Sequence, residues 1–188
     1  SLGFAAKRLL GGVAFSLGLI LVTVAGAELF TGNNLLAMAW ASGRVSAAQV
    51  LRNWLVVGLA NFAGAAGLAV LVWLSGHTSM NDGAVGRAVI AIANGKMQLS
   101  LGEAFFRGVL CNVLVCMAVW MALAGRSVTD KVLVLVPPIT AFVAAGFEHS
   151  IANLYYFPLA MLLGAPLQGV DWVRNLVPVV AGNVVGGS

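Results

Sequence analysis

Long apolar segments separated by short polar ones dominate this chain. Five apolar runs stand out, at 9–27, 54–74, 104–124, 132–146 and 176–187. A membrane-crossing helix needs about 20 mostly apolar residues. Most of these runs reach or approach that length, so the pattern predicts a series of membrane-spanning helices joined by polar connections at 42–52, 75–103, 125–131 and 164–174.

Two of the apolar runs lead into a short polar patch, after which apolar sequence resumes. The first patch, 28–34, is followed by apolar residues 35–41. The second patch, 147–150, is followed by apolar residues 151–163. We predict an interrupted helix at each patch. Non-helical backbone at membrane depth is tolerated only inside protein or beside a water-filled cavity, so both interruptions mark candidate functional regions.

Composition agrees with a bilayer environment. The chain is 61% hydrophobic and only 9% charged, with 23 glycines, whereas a soluble domain carries about 25% charged residues. Its net charge of +4 comes from scattered Lys and Arg residues, which does not favour a nucleic-acid partner. Cys111 and Cys116 match neither a redox nor a zinc pattern. With no nucleophile, metal cluster or cofactor motif in the sequence, we expect neither an enzyme nor a metal or cofactor protein.

An internal repeat relates the two halves. Asn53 is followed by Asn61, and Asn175 by Asn183, each pair eight residues apart. Glu28 and Glu148, in the two polar patches, are 120 residues apart, and Asn53 and Asn175 are 122 apart. We therefore expect one transmembrane domain, 1–188, with two partial repeats at 1–75 and 104–188. Inverted repeats place the transport site near the bilayer midplane. The repeat also implies six spans arranged three plus three, of which this chain holds five, the first lying before Ser1.

Several short motifs resemble one family of membrane proteins. They are 27–31 (AELFT), 107–112 (RGVLCN), 146–153 (GFEHSIAN), 175–178 (NLVP) and 182–183 (GN). Together they resemble the formate/nitrite transporter family, most closely its formate-channel branch. The resemblance implies an all-α, aquaporin-like inverted repeat and a homopentamer with one pore per protomer. It further implies passage of formate, with nitrite or hydrosulfide as alternatives, across a bacterial or archaeal inner membrane.

The same resemblance assigns candidate site residues. It implies that His149 is the central pore histidine and that Thr31 faces it. It implies an apolar constriction formed by Phe15, Leu19, Leu29 and Phe142, and a vestibule cation, Lys96. Glu28, Glu148, Asn153 and Asn112 are expected to support the interrupted segments, the glutamates by accepting hydrogen bonds from loop backbone amides. The alternative is that the two glutamates line the pore. Asn61 and Asn183 are expected to hydrogen-bond between helices.

The chemistry of this constellation suits a small anion. An anion in an apolar constriction loses its hydration, at a cost of many kcal/mol. His149 can offset that loss by donating a hydrogen bond or a proton, and Thr31 can donate without charge. Free backbone N–H groups at the helix breaks and the charge of Lys96 would attract anions. Without the motif, the same residues could be structural, and Lys96 an ordinary loop lysine. A neutral-solute pore is disfavoured because the chain lacks Asn-Pro-Ala boxes.

Overall fold

The structure is a computed structural model that describes residues 3–188, and these residues form helices joined by short turns. The helices are α1 (Phe4–Ala25), α2 (Leu36–Ala41), α3 (Ala47–Leu74), α4 (Met80–Met97), α5 (Leu101–Ala124), α6 (Val128–Ala145), α7 (Ser150–Leu162) and α8 (Gly169–Gly187). Short 3-10 turns occupy Gly32–Leu35 and His77–Ser79. By length and hydropathy, α1, α3, α5 and α6 can each cross a membrane. The predicted all-α membrane architecture is confirmed.

Both predicted interruptions are present. The helix α1 is followed by a C-cap glycine, Gly26 (φ 74°), and α6 by Gly146 (φ 78°), each in the left-handed conformation. Glycine reaches this conformation without the steric penalty of a side chain. The two glycines are 120 residues apart, so the repeat extends to backbone geometry. After each break the chain re-enters a short helical segment, Gly32–Leu35 with α2 in the first half and α7 in the second.

The predicted polar connection at 75–103 is wrong in its main feature, because α4 lies within it and is regularly helical after a left-handed turn at Asn81, Asp82 and Gly83. The helix buries Gly86, Val89 and Ala93, which recur every three to four residues and form a narrow apolar stripe. This stripe packs against α7. Small residues contribute little to hydropathy, so the sequence pattern of this segment predicted a polar connection rather than a helix. The connections at 42–52 and 125–131 are also shorter than predicted, since capping boxes at Ser46 and Ser127 start α3 and α6 early.

Two helix pairs pack closely and hold the interruptions in place. The first pair is α1 with α6, where a side-chain carbon at Gly12 would lie 2.7 Å from the Thr140 carbonyl oxygen. The second pair is α5 with α8, where one at Gly108 would lie 2.9 Å from the Val179 carbonyl oxygen. A methyl group at Gly182 would overlap the Phe105 carbonyl. Glycine at these contacts lets the backbones approach, as small residues commonly do between membrane helices.

Candidate functional site

His149 lies in the second interruption, immediately before α7, and both of its ring nitrogens are engaged. Nδ1 accepts a hydrogen bond from the Ala152 backbone N–H at 3.1 Å, which makes His149 the N-cap of α7. Nε2 lies 3.0 Å from Thr31 Oγ1. Because Nδ1 accepts, a neutral ring carries its hydrogen on Nε2 and donates it to the Thr31 hydroxyl. The ring therefore has one defined tautomer and orientation.

Two phenylalanines complete an aromatic cluster around this histidine. The Phe142 ring stacks on His149 with centroids 5.8 Å apart, and the Phe15 ring meets it edge-on at 6.2 Å. Phe15 and Phe142 contact each other edge-to-face at 5.6 Å. We call these three side chains, from α1, α6 and the second interruption, the neck. His149 is its one side chain with hydrogen-bonding nitrogens, in an otherwise apolar ring.

A cavity lies on each side of the neck. The chamber, about 510 Å³ in volume, is walled by residues that include Leu19, Val22, Leu29, Leu68, Val115 and Ile139. The vestibule, about 630 Å³, is walled by residues that include Arg8, Ile92, Lys96, Leu99, Arg107 and Glu148. Five residues line both cavities: Phe15, Phe142, His149, Ala152 and Tyr156. One cavity is thus mostly apolar and the other carries the charges, with His149 at their junction.

The constriction residues expected from the sequence fall into two groups. Phe15 and Phe142 form the neck, whereas Leu19 and Leu29 line the chamber beyond it. The resemblance implied that Thr31 faces His149, and the two side chains are in direct contact at 3.0 Å, with no passage between them. The Thr31 side chain is fully buried and is not among the described residues that line either cavity. Thr31 therefore contacts His149 on the side of the ring that faces away from the two cavities.

A set of amide side chains pins the second interruption. Asn183, on α8, accepts from the Ser150 N–H at 2.9 Å and donates to the carbonyl oxygens of Glu148 and Gly108, both at 2.9 Å. It is fully buried. These contacts occupy the backbone groups on both sides of His149. His149 is thereby fixed from the helix behind it as well as by its own ring contacts.

One asparagine side chain also bonds the backbone of the first interruption in two places, and we call each such pair of hydrogen bonds a frame. Asn61, on α3, accepts from the Phe30 N–H at 2.9 Å and donates to the Glu28 carbonyl at 3.1 Å. Backbone amides expected to be free for anions are therefore already taken at Phe30, Ser150 and Ala152. The sequence prediction of exposed helix-end amides is wrong at these positions, because Asn61, Asn183 and His149 itself cap them.

The two glutamates support the interruptions through side chains rather than through backbone amides. Glu148 accepts from Asn153 Nδ2 at 2.9 Å, and the same amide nitrogen donates to Asn175 Oδ1 at 2.8 Å. Glu28 likewise accepts from Asn33 Nδ2, which also donates to Asn53 Oδ1 at 2.9 Å. The expected capping of loop backbone amides by the glutamates is wrong, because Asn61 and Asn183 accept from the loop N–H groups of Phe30 and Ser150 instead.

Asn112, on α5, joins the two interruptions. Its side-chain nitrogen lies within hydrogen-bond distance of the Thr31 carbonyl (3.1 Å), Asn34 Oδ1 (2.8 Å) and the Asn183 carbonyl (2.6 Å). Asn112, Thr31 and Asn183 are all fully buried. Thr31 therefore has its backbone held by Asn112 and its side chain held by His149.

Lys96 lines the vestibule, but it sits on α4 rather than in a loop. Its Nζ lies 2.9 Å from Glu148 Oε1, and the exposed fractions of the two side chains are 14% and 4%. Its backbone carbonyl accepts from Asn175 Nδ2 at 2.9 Å. The lysine charge is thus compensated by a buried carboxylate one residue from His149, instead of standing free at the mouth of the vestibule.

Sequence reasoning missed two residues of this region. Tyr156 lies on α7, seven residues after His149, and lines both cavities. Arg8 lies seven residues before Phe15, on the same face of α1, and lines the vestibule. Seven residues are close to two helical turns. This spacing from Phe15 and His149 was the available signal.

Comparison with known proteins gives a consistent picture. The family model described as formate/nitrite transporter matches residues 2–188. The formate channel FocA of Haemophilus influenzae is 40% identical over 200 residues, covering 96% of this chain and 70% of that protein. FocA of Escherichia coli K12 is 40% identical over 203 residues, covering 98% and 71%.

Two solved structures extend the comparison to the fold. A pentameric formate channel with formate bound superposes with a TM-score of 0.89 at 42% identity, covering all of this chain and 81% of that one. A second structure, described as an FNT family ion channel, gives a TM-score of 0.90 at 31% identity, covering 99% and 75%.

Proposed function

Because this chain belongs to the formate/nitrite transporter family, we propose that it forms a membrane channel for formate, with one pore in each protomer of a homopentamer. Relatives named formate channels and a pentameric neighbour with bound formate support both parts. The bacterial sources of these relatives support a bacterial inner membrane, with an archaeal membrane as the alternative. The path runs from the vestibule through the neck into the chamber.

The observation that carries this proposal is the position of His149 at the junction of the two cavities. Its ring is walled by Phe15 and Phe142 and held by Thr31 at 3.0 Å. A bare formate ion there would lose most of its hydration at a cost of several kcal/mol. His149 is the neck side chain with hydrogen-bonding nitrogens. Its Nε2–H would turn from Thr31 to the permeant, or Nδ1–H would donate once the ring is protonated, so we expect His149 to be the pore residue that meets the permeant. Thr31 acts as a positioning residue, since it accepts from Nε2 and is itself buried.

The neck also supplies a route to pH dependence. In the neutral ring Nδ1 accepts from Ala152, whereas an imidazolium carries hydrogens on both nitrogens. Protonation of His149 therefore requires the Ala152 contact to open, which loosens the first turn of α7. The charged ring then attracts formate and can transfer a proton to it, so that formic acid crosses the apolar chamber as a neutral molecule. Flux should accordingly rise as the pH falls on the side from which formate enters.

Nitrite is a second candidate permeant. The family description includes it, and nitrite, like formate, is a small monovalent anion with two terminal oxygens. The neck does not contain a feature that would distinguish the two anions strongly, because one hydrogen-bond donor within an apolar ring recognises both. Hydrosulfide has no oxygen acceptor and should form a weaker contact with His149.

Uptake of radiolabelled formate into proteoliposomes at two pH values tests the proposal, with nitrite and hydrosulfide measured in parallel. We expect saturable formate uptake that increases at the lower pH, and nitrite flux of the same order. Protein-free liposomes report leak of the neutral acid. Formate uptake equal to that leak at both pH values would refute the proposed function.

A further inference from the structure

Arg8 lies on the pore-lining face of α1, at the outer end of the vestibule. It precedes Phe15 by seven residues, which places it about 10 Å further along the helix on the same face. Arg8, Lys96 and Arg107 supply the positive charges among the described residues that line the vestibule. Arg8 is therefore a cation that an anion meets before the neck.

The Arg8 guanidinium is held in place by the end of α6. Its Nε donates to the Ala144 carbonyl at 3.0 Å, one of the last-turn carbonyls that have no partner within the helix. A methyl group at Gly146 would lie 2.6 Å from Nη2, so Gly146 makes room for the side chain. The Phe4 ring lies 5.8 Å below it. Four of the five guanidinium N–H groups remain beyond the bond to Ala144.

The other two cations are compensated to different degrees. Lys96 is paired with Glu148 at 2.9 Å. The Arg107 guanidinium lies 3.9 Å from the exposed Glu103 carboxylate. Among residues 3–188, Arg8 has no carboxylate within ion-pair distance. Its charge is the uncompensated one in the vestibule wall.

We propose that Arg8 forms an outer binding site for the carboxylate of the permeant, where an anion is held before it reaches His149. A planar guanidinium matches a planar carboxylate through two parallel N–H···O bonds, which a lysine ammonium does not provide. The anchoring by Ala144 and Gly146 reduces the conformational entropy lost on binding. The choice of formate as ligand rests on the proposed function; the site itself rests on the Arg8 geometry.

The test compares Arg8→Gln with Lys7→Gln in the full-length protein. Lys7 is the neighbouring cation on α1, is exposed, and does not line the vestibule. Both variants lose one positive charge, but only Arg8→Gln loses it from the vestibule wall. We expect the KM for formate uptake to rise roughly fivefold in Arg8→Gln, a size suited to one partly exposed charged contact, and to stay near wild type in Lys7→Gln. Arg8→Lys should fall between wild type and Arg8→Gln. Size-exclusion chromatography checks that each variant assembles.

A binding measurement separates this inference from the proposed function. Formate should raise the Tm of wild type and Lys7→Gln by more than it raises that of Arg8→Gln. If the wild-type protein shows no formate flux but formate still raises its Tm in an Arg8-dependent way, the channel proposal is refuted and the Arg8 binding site is retained. Equal KM values and equal Tm shifts in both variants would overturn the site. An equal KM increase in both variants would also overturn it, since diffuse surface charge would then explain the effect.

Discussion

Asn61 on α3, beside the first interruption, and Asn183 on α8, beside the second, make the same two contacts with the loop that each one faces. Each accepts from the backbone N–H two residues after a glutamate and donates to that glutamate's carbonyl. Both loops begin at a left-handed glycine. Two equivalent frames therefore hold the backbone open at two places, 120 residues apart in the chain.

The frames differ in what they hold. Glu148 is 3% exposed and is paired with Lys96, whereas Glu28 is exposed and its contact is with Asn33. The residue after Glu148 is His149, whereas the residue after Glu28 is Leu29. One interruption thus carries a charged pair and a titratable ring, and its counterpart carries an apolar wall of the chamber. The shared frame supplies the geometry, and the unmatched residues supply the proposed chemistry.

Removing the two frame asparagines should produce the largest difference. Asn183→Ala leaves the Ser150 N–H and the carbonyls of Gly108 and Glu148 without their partner. Each of these three buried groups costs about 1–3 kcal/mol when unsatisfied, so we expect a loss of roughly 3–9 kcal/mol in the free energy of unfolding. Asn61→Ala should cost only about 1–2 kcal/mol, because Asn61 is partly exposed and water can replace it. Reversible SDS unfolding measures both, and equal losses would contradict the contrast.

Breaking the buried ion pair should have the next largest effect. Lys96→Met leaves the Glu148 carboxylate buried with no cation, which should destabilise the protein by about 3–5 kcal/mol. Glu28→Gln removes an exposed charge and should change stability little. The double variant Lys96→Met/Glu148→Gln should recover much of the loss, because no buried charge remains. A double variant as unstable as Lys96→Met would show that packing, rather than charge, explains the effect.

Replacing His149 should affect transport more than stability. His149→Phe keeps a ring of similar size but loses the cap on α7 and the contact to Thr31, at about 1–3 kcal/mol. We expect formate flux to fall roughly ten- to hundredfold, the effect of losing one hydrogen bond to a charged group, and its pH dependence to flatten. Leu29→Phe, at the equivalent position of the first interruption, should keep the wild-type pH dependence. Wild-type flux and pH dependence in His149→Phe would make His149 a structural residue.

The smallest effect is expected at Thr31. Thr31→Val keeps the shape of the side chain but removes the acceptor of the Nε2–H, whereas Thr31→Ser retains it. We expect about fivefold lower formate flux and a shifted pH profile in Thr31→Val, the size of one neutral hydrogen bond, with near wild-type values in Thr31→Ser. Proteoliposome flux across a pH series measures both. An unshifted pH profile in Thr31→Val would show that Thr31 does not position His149.

The sequence predicted the interruptions well because their signals are local and repeated. A polar patch inside an apolar run is visible without a structure, and the Asn53–Asn61 and Asn175–Asn183 spacings align the halves. The helix α4 was not predicted, because its buried stripe consists of small residues such as Gly86 and Ala93. That these residues form a buried helix face becomes apparent only in the tertiary structure, where α7 packs against them.

The sequence by itself determined the membrane environment, the two interrupted helices and the position of His149 in one of them, since hydropathy, glycine placement and short motifs are properties of neighbouring residues. Only the tertiary structure decided that Thr31 lies behind His149 rather than across a passage, that Glu148 neutralises Lys96, and that Arg8 is anchored by α6. Those contacts join residues 118, 52 and 136 positions apart. They depend on how the helices pack, because the same side chains could have faced lipid, water or another helix without changing the local pattern.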